Sequence, residues 1–321
     1  MHPVSIVIPA FNQCAFCQAC VASLRLHTPE PHRLILVDNG STDGVGDYFD
    51  TVEDAVVIHS PRNLGFAGGV NLGLRAAEGP VVILNSDTLL SPGWLAELLG
   101  ALLAEDDTGL AGPVTNCAAG PQQLDGLVLD TQEAIDALAA ARCADTRLGV
   151  VQAHRLVGFC LAIRREALDA AGEFDERFGI GNFEDDDYCM RVRRAGYRMV
   201  IAERSFVYHH GGRTFAAMGL EGAAYNALLE ENRQKYEAKW DLTLPRPGAT
   251  NNRARALREE ATLHLRQGRP QDALRFLKQA IEADPGCAAS YRDLAAVLED
   301  LGQAALAQQF RERAAALHPN S

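Results

Sequence analysis

The chain has 321 residues, 47% of them hydrophobic and 22% charged, and carries a net charge of −12. This is the composition of a soluble globular protein large enough for one big domain and one small one. The acidic balance disfavours a nucleic-acid partner, and no apolar run approaches the roughly 20 residues that span a bilayer.

The opening Met1-His2-Pro3-Val4-Ser5-Ile6-Val7-Ile8-Pro9 has no basic stretch and a very short apolar run. It reads as a first strand over residues 4–9 rather than an export leader. The expected location is therefore the cytoplasm, free or at the inner face of the membrane, with the eight cysteines reduced. Residues 16–27 read as a helix with Val21 and Leu24 inward. Cys14, Cys17 and Cys20 fall near one face of it, as small apolar residues. Strands follow at 34–37 and 56–58. Residues 63–69 read as a glycine-rich turn and 70–77 as a helix. Val81-Val82-Ile83-Leu84 is an apolar run of the kind buried on both faces of a parallel sheet. A helix at 94–104 and a strand at 110–114 come next. Residues 116–155, with an alanine-rich helix at 131–142, read as an insertion. Strands at 157–163 and 199–201 bracket helices at 166–171 and 185–195, the latter ended by Gly196. Residues 222–240 form a long helix. Alternating strands and helices predict an α/β fold.

Residues 242–250 contain Pro245, Pro247 and Gly248 and read as a linker. Beyond it, Leu257, Gly268, Ala273, Ala280 and Pro285 recur as Tyr291, Gly302, Ala307, Ala314 and Pro319, each 34 residues later. The period, with a turn glycine and small residues where helices cross, resembles two tetratricopeptide repeats. Two such repeats leave apolar end faces, so support from the first domain or from a second copy of the chain is expected.

Ligands in open parallel sheets bind beyond the carboxyl ends of the strands. Asn85-Ser86-Asp87 follows the apolar run at such an end, where a carboxylate suits a divalent cation shared with phosphate oxygens; an Asx turn is the plainer reading. Pro9-Ala10-Phe11-Asn12 and Asp38-Asn39-Gly40-Ser41 follow the first two strands. The carboxylate of Asp38 can accept from a nucleobase N–H or a ribose hydroxyl. Arg62-Asn63-Leu64-Gly65-Phe66-Ala67-Gly68-Gly69-Val70-Asn71 is expected to bring backbone close to a ligand, with the amides of the following helix aimed at it. It matches neither a P-loop nor a dinucleotide fingerprint. In Glu184-Asp185-Asp186-Asp187, four adjacent carboxylates repel, so at least one is expected to have a raised pKa if partly buried. One of them can take a proton from a hydroxyl. His209-His210-Gly211-Gly212 ends a strand, where a neutral imidazole can complete a metal site.

Taken in order, these segments resemble family 2 glycosyltransferases of the GT-A fold. The matching pieces are Val4 through Pro9, Val37-Asp38-Asn39-Gly40-Ser41-Thr42-Asp43, Asn63-Leu64-Gly65-Phe66-Ala67-Gly68-Gly69, Leu84-Asn85-Ser86-Asp87, Phe183 through Asp187, and His209 with Arg213-Thr214-Phe215. The resemblance implies a Rossmann-like, mixed but mostly parallel sheet with flanking helices over residues 1–241, plus a small all-α repeat domain over 251–321. It implies inverting transfer of a sugar, hexosyl in type, from a nucleoside-diphosphate donor to a glycan, lipid-linked glycan or protein hydroxyl, in bacterial surface-glycan or protein glycosylation. Asp185 matches the catalytic base, and Asp87 and His209 match the ligands of Mn2+ or Mg2+. Pro9, Ala10, Asn12, Asp38, Asn39, Arg62, Asn63, Gly65, Gly68, Asn71, Asn85, Ser86 and Glu184 would line the nucleotide-sugar pocket. Asn85 stands where the strict motif has Asp, which leaves one carboxylate fewer. The repeats suggest a homodimer; the competing reading is an inactive transferase-like adaptor acting through them.

Overall fold

A computed structural model describes residues 3–212, 218–220, 222–240 and 252–317. Arg213, Thr214 and Phe215 of the expected histidine motif, and the 242–250 linker, lie outside them. The chain divides into two compact units, Met1–Arg233 and Gln234–Ser321.

The first unit is built on an eight-stranded sheet of order β3-β2-β1-β4-β8-β6-β9-β7. Its strands are β1 (Val4–Ala10), β2 (His32–Asp38), β3 (Ala55–His59), β4 (Val81–Leu84), β6 (Thr108–Val114), β7 (Val150–Ala153), β8 (Cys160–Ile163) and β9 (Arg198–Phe206). β1, β2, β3 and β4 run parallel, as do β6 and β9, while β8 and β7 are antiparallel to their neighbours. This is the mixed, mostly parallel sheet that the family resemblance implies.

Every residue of β1 and β4 is buried, because helices cover both faces. Helices α1 (Cys14–His27) and α4 (Trp94–Leu103) share a core with Ile6, Ile8, Leu36, Val82 and Leu84. Cys17 and Cys20 are fully buried there beside Val21 and Leu24, and burial pushes the Cys20 thiol up to about 12. Helix α3 (Gly65–Ala76) packs on the other face, against β1 and β2.

Three differences from the expected elements bear on the site. The glycines at 65, 68 and 69 are not in a turn but in the first turns of α3. Glycine here serves close packing: a Cβ on Gly73 would stand 2.2 Å from Val7 Cγ1, and one on Gly65 1.9 Å from the carbonyl oxygen of Gly179. Second, the strand expected at 157–163 spans Cys160–Ile163, and residues 157–159 leave the sheet. Third, the 116–155 segment is not wholly outside the sheet. After α5 (Gln132–Ala144) it supplies the edge strand β7, paired with β9.

A two-stranded sheet also forms, from β5 (Thr88–Leu89) and β10 (Tyr208–His209). The remaining helices of this unit are α2 (Val45–Asp50), α6 (Arg165–Ala171), α7 (Glu184–Arg194) and the start of α8 (Gly222–Trp240), with the unit boundary inside α8.

The second unit contains α9 (Asn252–Arg266), α10 (Pro270–Ala283), α11 (Ala288–Asp300) and α12 (Ala304–Leu317). Ala273, Ala280, Ala307 and Ala314 are buried where helices cross, and Gly268 and Gly302 take left-handed φ of 70° and 76° in the turns. The 34-residue period is thus two helical hairpins.

Candidate active site

Strand β4 ends in a tight turn. The Asn85 amide donates to the Phe159 carbonyl at 2.8 Å, and Thr88 Oγ1 donates to the Asn85 carbonyl at 2.7 Å. The chain then enters β5, where Thr88 pairs with His209 of β10, and the His210 amide donates to the Asp87 carbonyl. The pairing places His209 Nε2 3.2 Å from Oδ1 of the buried Asp87. His209 Nδ1 lies 2.9 Å from the Cys117 carbonyl. The Asn116 side chain grips the same residue, accepting from the His209 amide and donating to its carbonyl. Phe159 stacks on the imidazole with centroids 5.2 Å apart. Burial pulls the His209 pKa down, but the bonds to Asp87 and the Cys117 carbonyl outweigh it, so the net direction is up.

This donor set fits a divalent cation. A carbonyl on Nδ1 fixes a proton there and aims Nε2 at the carboxylate; a cation between them would replace the proton on Nε2, and a backbone carbonyl on the other nitrogen is how a metal-binding histidine is oriented. Asn85 Oδ1 is buried without a hydrogen-bond partner among the described residues, an oxygen awaiting a donor or a cation. Those residues hold no cage of three or more His, Cys, Asp or Glu side chains. A cation here would complete its shell with phosphate oxygens and water.

The acidic run opens α7. Before it, Asn182 and Phe183 both take a left-handed φ of 73°. Such strain persists only where surroundings impose it. Here Asn232 of α8, fully buried, donates to the carbonyls of Phe178, Gly181 and Asn182. The Asp185 carboxylate accepts from the Gly158 amide at 2.9 Å and the Asp186 amide at 2.8 Å. Asp186 pairs with Arg155 at 2.5 Å and Asp187 with Arg191 at 2.9 Å. Glu184 is buried with Oε2 unsatisfied among the described residues. Burial, then the charge of Asp185, raises its pKa well above the usual range, and burial raises Asp186 to about 6. Burial leads and the neighbouring carboxylates add to it, in the direction expected from the sequence.

Residues 157–159 join the two halves. Gly158 binds Asp185 through its amide, and Phe159 binds Asn85 through its carbonyl and His209 through its ring. Asp87, His209 and Asp185 thus share one region at the carboxyl edge of the sheet.

Beside it lie the loops after β1 and β2. Ala10 pairs with Asp38, and the Asn12 side chain accepts from the Thr42 amide while its own amide donates to Ser41. Asp38 Oδ1 accepts from the Ser41 amide, and Oδ2 faces His59 Nδ1. Asn39 donates to Asn63 and to the Gly65 carbonyl and accepts from the Leu64 amide, so it shapes the 62–65 loop. Pro9 backs Gly69, where an added Cβ would stand 3.3 Å away. Ser86 is buried next to Asp87. Arg62 is exposed and makes no side-chain bond or ion pair among the described residues, so it is available to an anion.

Two expectations need correction. The leading amides of α3 do not face open space: Leu64, Gly65 and Phe66 donate to Asn39, Asn63 and the Ile180 carbonyl. Gly65 and Gly68 are therefore packing residues of a helix start. Asn71 lies within α3, fully buried, and its amide is consumed by both backbone groups of Phe174 and by Glu176. It clasps the 174–176 loop.

Sequence reasoning missed Asn116, Gly158, Phe159, Asn232 and His59. Asn116 carried a usable signal, a polar residue just past a buried strand. Asn232 carried none, being one polar residue within a polar helix.

The family model for glycosyl transferase family 2 matches residues 5–171, and a tetratricopeptide-repeat model matches 264–321. The uncharacterized protein Rv1525 of Mycobacterium tuberculosis is 31% identical over 217 residues, covering 65% of this chain and 74% of that protein. The N-acetylglucosaminyl-diphospho-decaprenol L-rhamnosyltransferase of the same organism is 29% identical over 216 residues, covering 59% and 70%. The chain spans only 24% of the length of another relative, the uncharacterized protein y4gI of Sinorhizobium fredii, at 29% identity over 64% of this chain. Among solved structures, GalNAc-T7 with UDP, GalNAc and Mn2+ superposes with a TM-score of 0.53 at 16% identity, over 83% of this chain and 55% of that one. That likeness is one of fold. With a family match over half its length and the fold to go with it, this chain belongs to glycosyl transferase family 2.

Proposed function

We propose that this chain transfers a hexosyl group from a nucleoside-diphosphate sugar to a hydroxyl of a glycan, lipid-linked glycan or protein, with inversion at the anomeric carbon. The observation that carries the reading is the meeting of Asp185 and His209 at residues 158–159, with Asp87 paired to His209 and Asn85 bonded to Phe159.

Asp87 and His209 would hold Mn2+ or Mg2+. When bound, such a cation neutralises charge developing on the leaving diphosphate. Arg62 adds an exposed cationic group for the same oxygens, and Asp38, Asn12, Asn63, Pro9 and Ala10 border the pocket for the nucleoside. Asn85 Oδ1, Ser86 and Glu184 lie where the sugar and diphosphate meet the acceptor. Asp185 is fixed by two backbone amides, each taking one lone pair of its carboxylate. A second lone pair on each oxygen stays open to an acceptor hydroxyl. Proton transfer to it sharpens the hydroxyl for attack on the anomeric carbon from the face opposite the diphosphate. One displacement inverts that centre, whereas retention by double displacement needs a second, nucleophilic carboxylate.

The rhamnosyltransferase relative and the Mn2+ complex of a similarly folded protein support the reading. The repeats fit the joining of two copies, with Leu265 and Leu306 exposed on them; light scattering would read one chain per particle if they do not.

The test is thermal denaturation with UDP, dTDP, GDP and CMP sugars, each with and without Mn2+. A ligand at 100 times its dissociation constant adds about 2.7 kcal/mol. A cation-dependent shift for one base supports the reading; none for any of them overturns it.

A further inference from the structure

Asp38, at the carboxyl end of β2, faces a second carboxylate through one imidazole. His59 is the last residue of β3 and lies directly opposite Asp38 in the parallel register. Its Nδ1 is 3.2 Å from Asp38 Oδ2 and its Nε2 is 3.0 Å from Asp50 Oδ1. The side chain of Asp38 is 10% exposed, that of His59 46% and that of Asp50 61%. The three thus run from the interior to the surface.

We infer that His59, anchored by Asp50, is a positioning residue that fixes the Asp38 carboxylate for recognition of the donor's nucleoside. The inference rests on the donor-site reading above and adds two residues that need not touch the donor.

The backbone of Asp38 is already pinned, since its carbonyl accepts from the Ser60 amide while the next amide, Asn39, donates to Ala10. What remains free is rotation of the carboxylate. The Ser41 amide holds Oδ1 at 2.8 Å and His59 holds Oδ2. Two donors on two oxygens set the plane of the group. Each oxygen keeps another lone pair, so the carboxylate presents acceptors in a fixed direction.

The imidazole is itself held at both ends. Both ring nitrogens face carboxylate oxygens, an arrangement satisfied when both carry protons. The bond to Asp50, then that to Asp38, raises the pKa of His59 accordingly. Helix α2 completes the device. Asp50 is its last residue, and Gly46 in its first turn closes over the pair: a Cβ there would stand 2.8 Å from Asp38 Oδ2 and 3.5 Å from the His59 ring. One short helix thus carries both the lid on Asp38 and the anchor of His59.

The test measures affinity for UDP, dTDP, GDP and CDP with Mn2+ by calorimetry, taking the nucleotide that wild type binds most tightly. His59→Ala should weaken it about tenfold, as expected for loss of a charge-assisted bond that orients a ligand-binding group. Asp50→Asn, a change at an exposed position, should weaken it in the same direction by less. Neither change should add to the loss seen in Asp38→Ala, because each acts through Asp38. In turnover, donor KM should rise while kcat holds. Melting temperatures of both variants should stay near wild type, which separates positioning from a structural role.

Unchanged affinity in both variants, with wild type binding a nucleotide, overturns this inference and leaves the donor site standing. Losses that add fully to Asp38→Ala also overturn it. If wild type binds none of the four, the donor-site reading falls and this inference falls with it.

Discussion

His209 Nε2 and Asp87 Oδ1 stand 3.2 Å apart, held by the two-residue pairing of β10 with β5 rather than by the main sheet. Three bonds then hold the histidine in place, two from Asn116 to its backbone and one from Nδ1 to the Cys117 carbonyl. Asp87→Ala and His209→Ala should each abolish cation-dependent donor binding in the thermal assay. Asn116→Ala removes the grip without removing a ligand. It should weaken cation affinity by about 10–100-fold, as loss of an orienting partner does. Full retention of Mn2+ dependence in Asp87→Ala would refute the assignment.

Asp185→Asn keeps the shape of the side chain and replaces one oxygen by an amide nitrogen. General-base catalysis contributes typically 10²–10⁴-fold. Turnover should fall by about that factor, while donor affinity, measured by calorimetry, stays at the wild-type value. Wild-type turnover in this variant would remove Asp185 from the mechanism.

Much of this was visible in the residues themselves. Val81-Val82-Ile83-Leu84 announces a strand buried on both faces, and Asp87 follows because polar residues gather where such strands end. The 34-residue recurrence from Gly268 to Gly302 announces the hairpins. The glycines of 65–69 are hard to read because one residue type serves two purposes: approach of a ligand, and close packing of a helix on its neighbours. A Cβ on Gly65 would meet the Gly179 carbonyl and one on Gly73 would meet Val7, and sequence carries no such distances. A helix begun at Gly65 turns the Asn71 amide onto Phe174 and Glu176, partners that sequence does not bring near. His59 was illegible because its partners, Asp38 and Asp50, come from a separate strand and helix that only the folded sheet brings near, and Asn116 showed only as a polar residue past a buried strand, its grip on His209 being unreadable.

The pKa shifts of the acidic run give a pH prediction. Glu184 has a folded-state pKa raised by burial, so its neutral form favours folding. Its contribution is full below the unfolded-state pKa and is lost as pH rises through the folded one. Asp186, raised to about 6, acts in the same direction between its unfolded value and pH 6. Glu184→Gln is neutral at every pH and nearly isosteric. Its melting temperature relative to wild type should therefore increase as pH goes from 5 to 9. A difference that is flat across that range, or shrinks, would show that Glu184 is not held neutral by burial.

Two glycine-to-alanine changes should have opposite signs. Alanine in a helix interior is favoured over glycine by roughly 0.5–1 kcal/mol, because glycine loses more backbone freedom on folding. Gly100, in α4, is exposed and an added Cβ meets nothing within 4 Å. Gly100→Ala should therefore stabilise by about that amount. Gly73, in α3, would place its Cβ 2.2 Å from Val7 Cγ1 and 3.3 Å from Val37 Cγ2, at a buried helix–sheet contact. Relief requires α3 to lift from β1, and overpacking of this kind costs typically 1–3 kcal/mol, more than the helix preference returns. Gly73→Ala should lower the melting temperature by several degrees, at roughly 2–4 °C per kcal/mol for a unit of this size. Because α3 carries the 62–65 loop at its head, nucleotide affinity should fall with it. A Gly73→Ala protein as stable as wild type would mean that the α3–β1 contact does not depend on the missing Cβ.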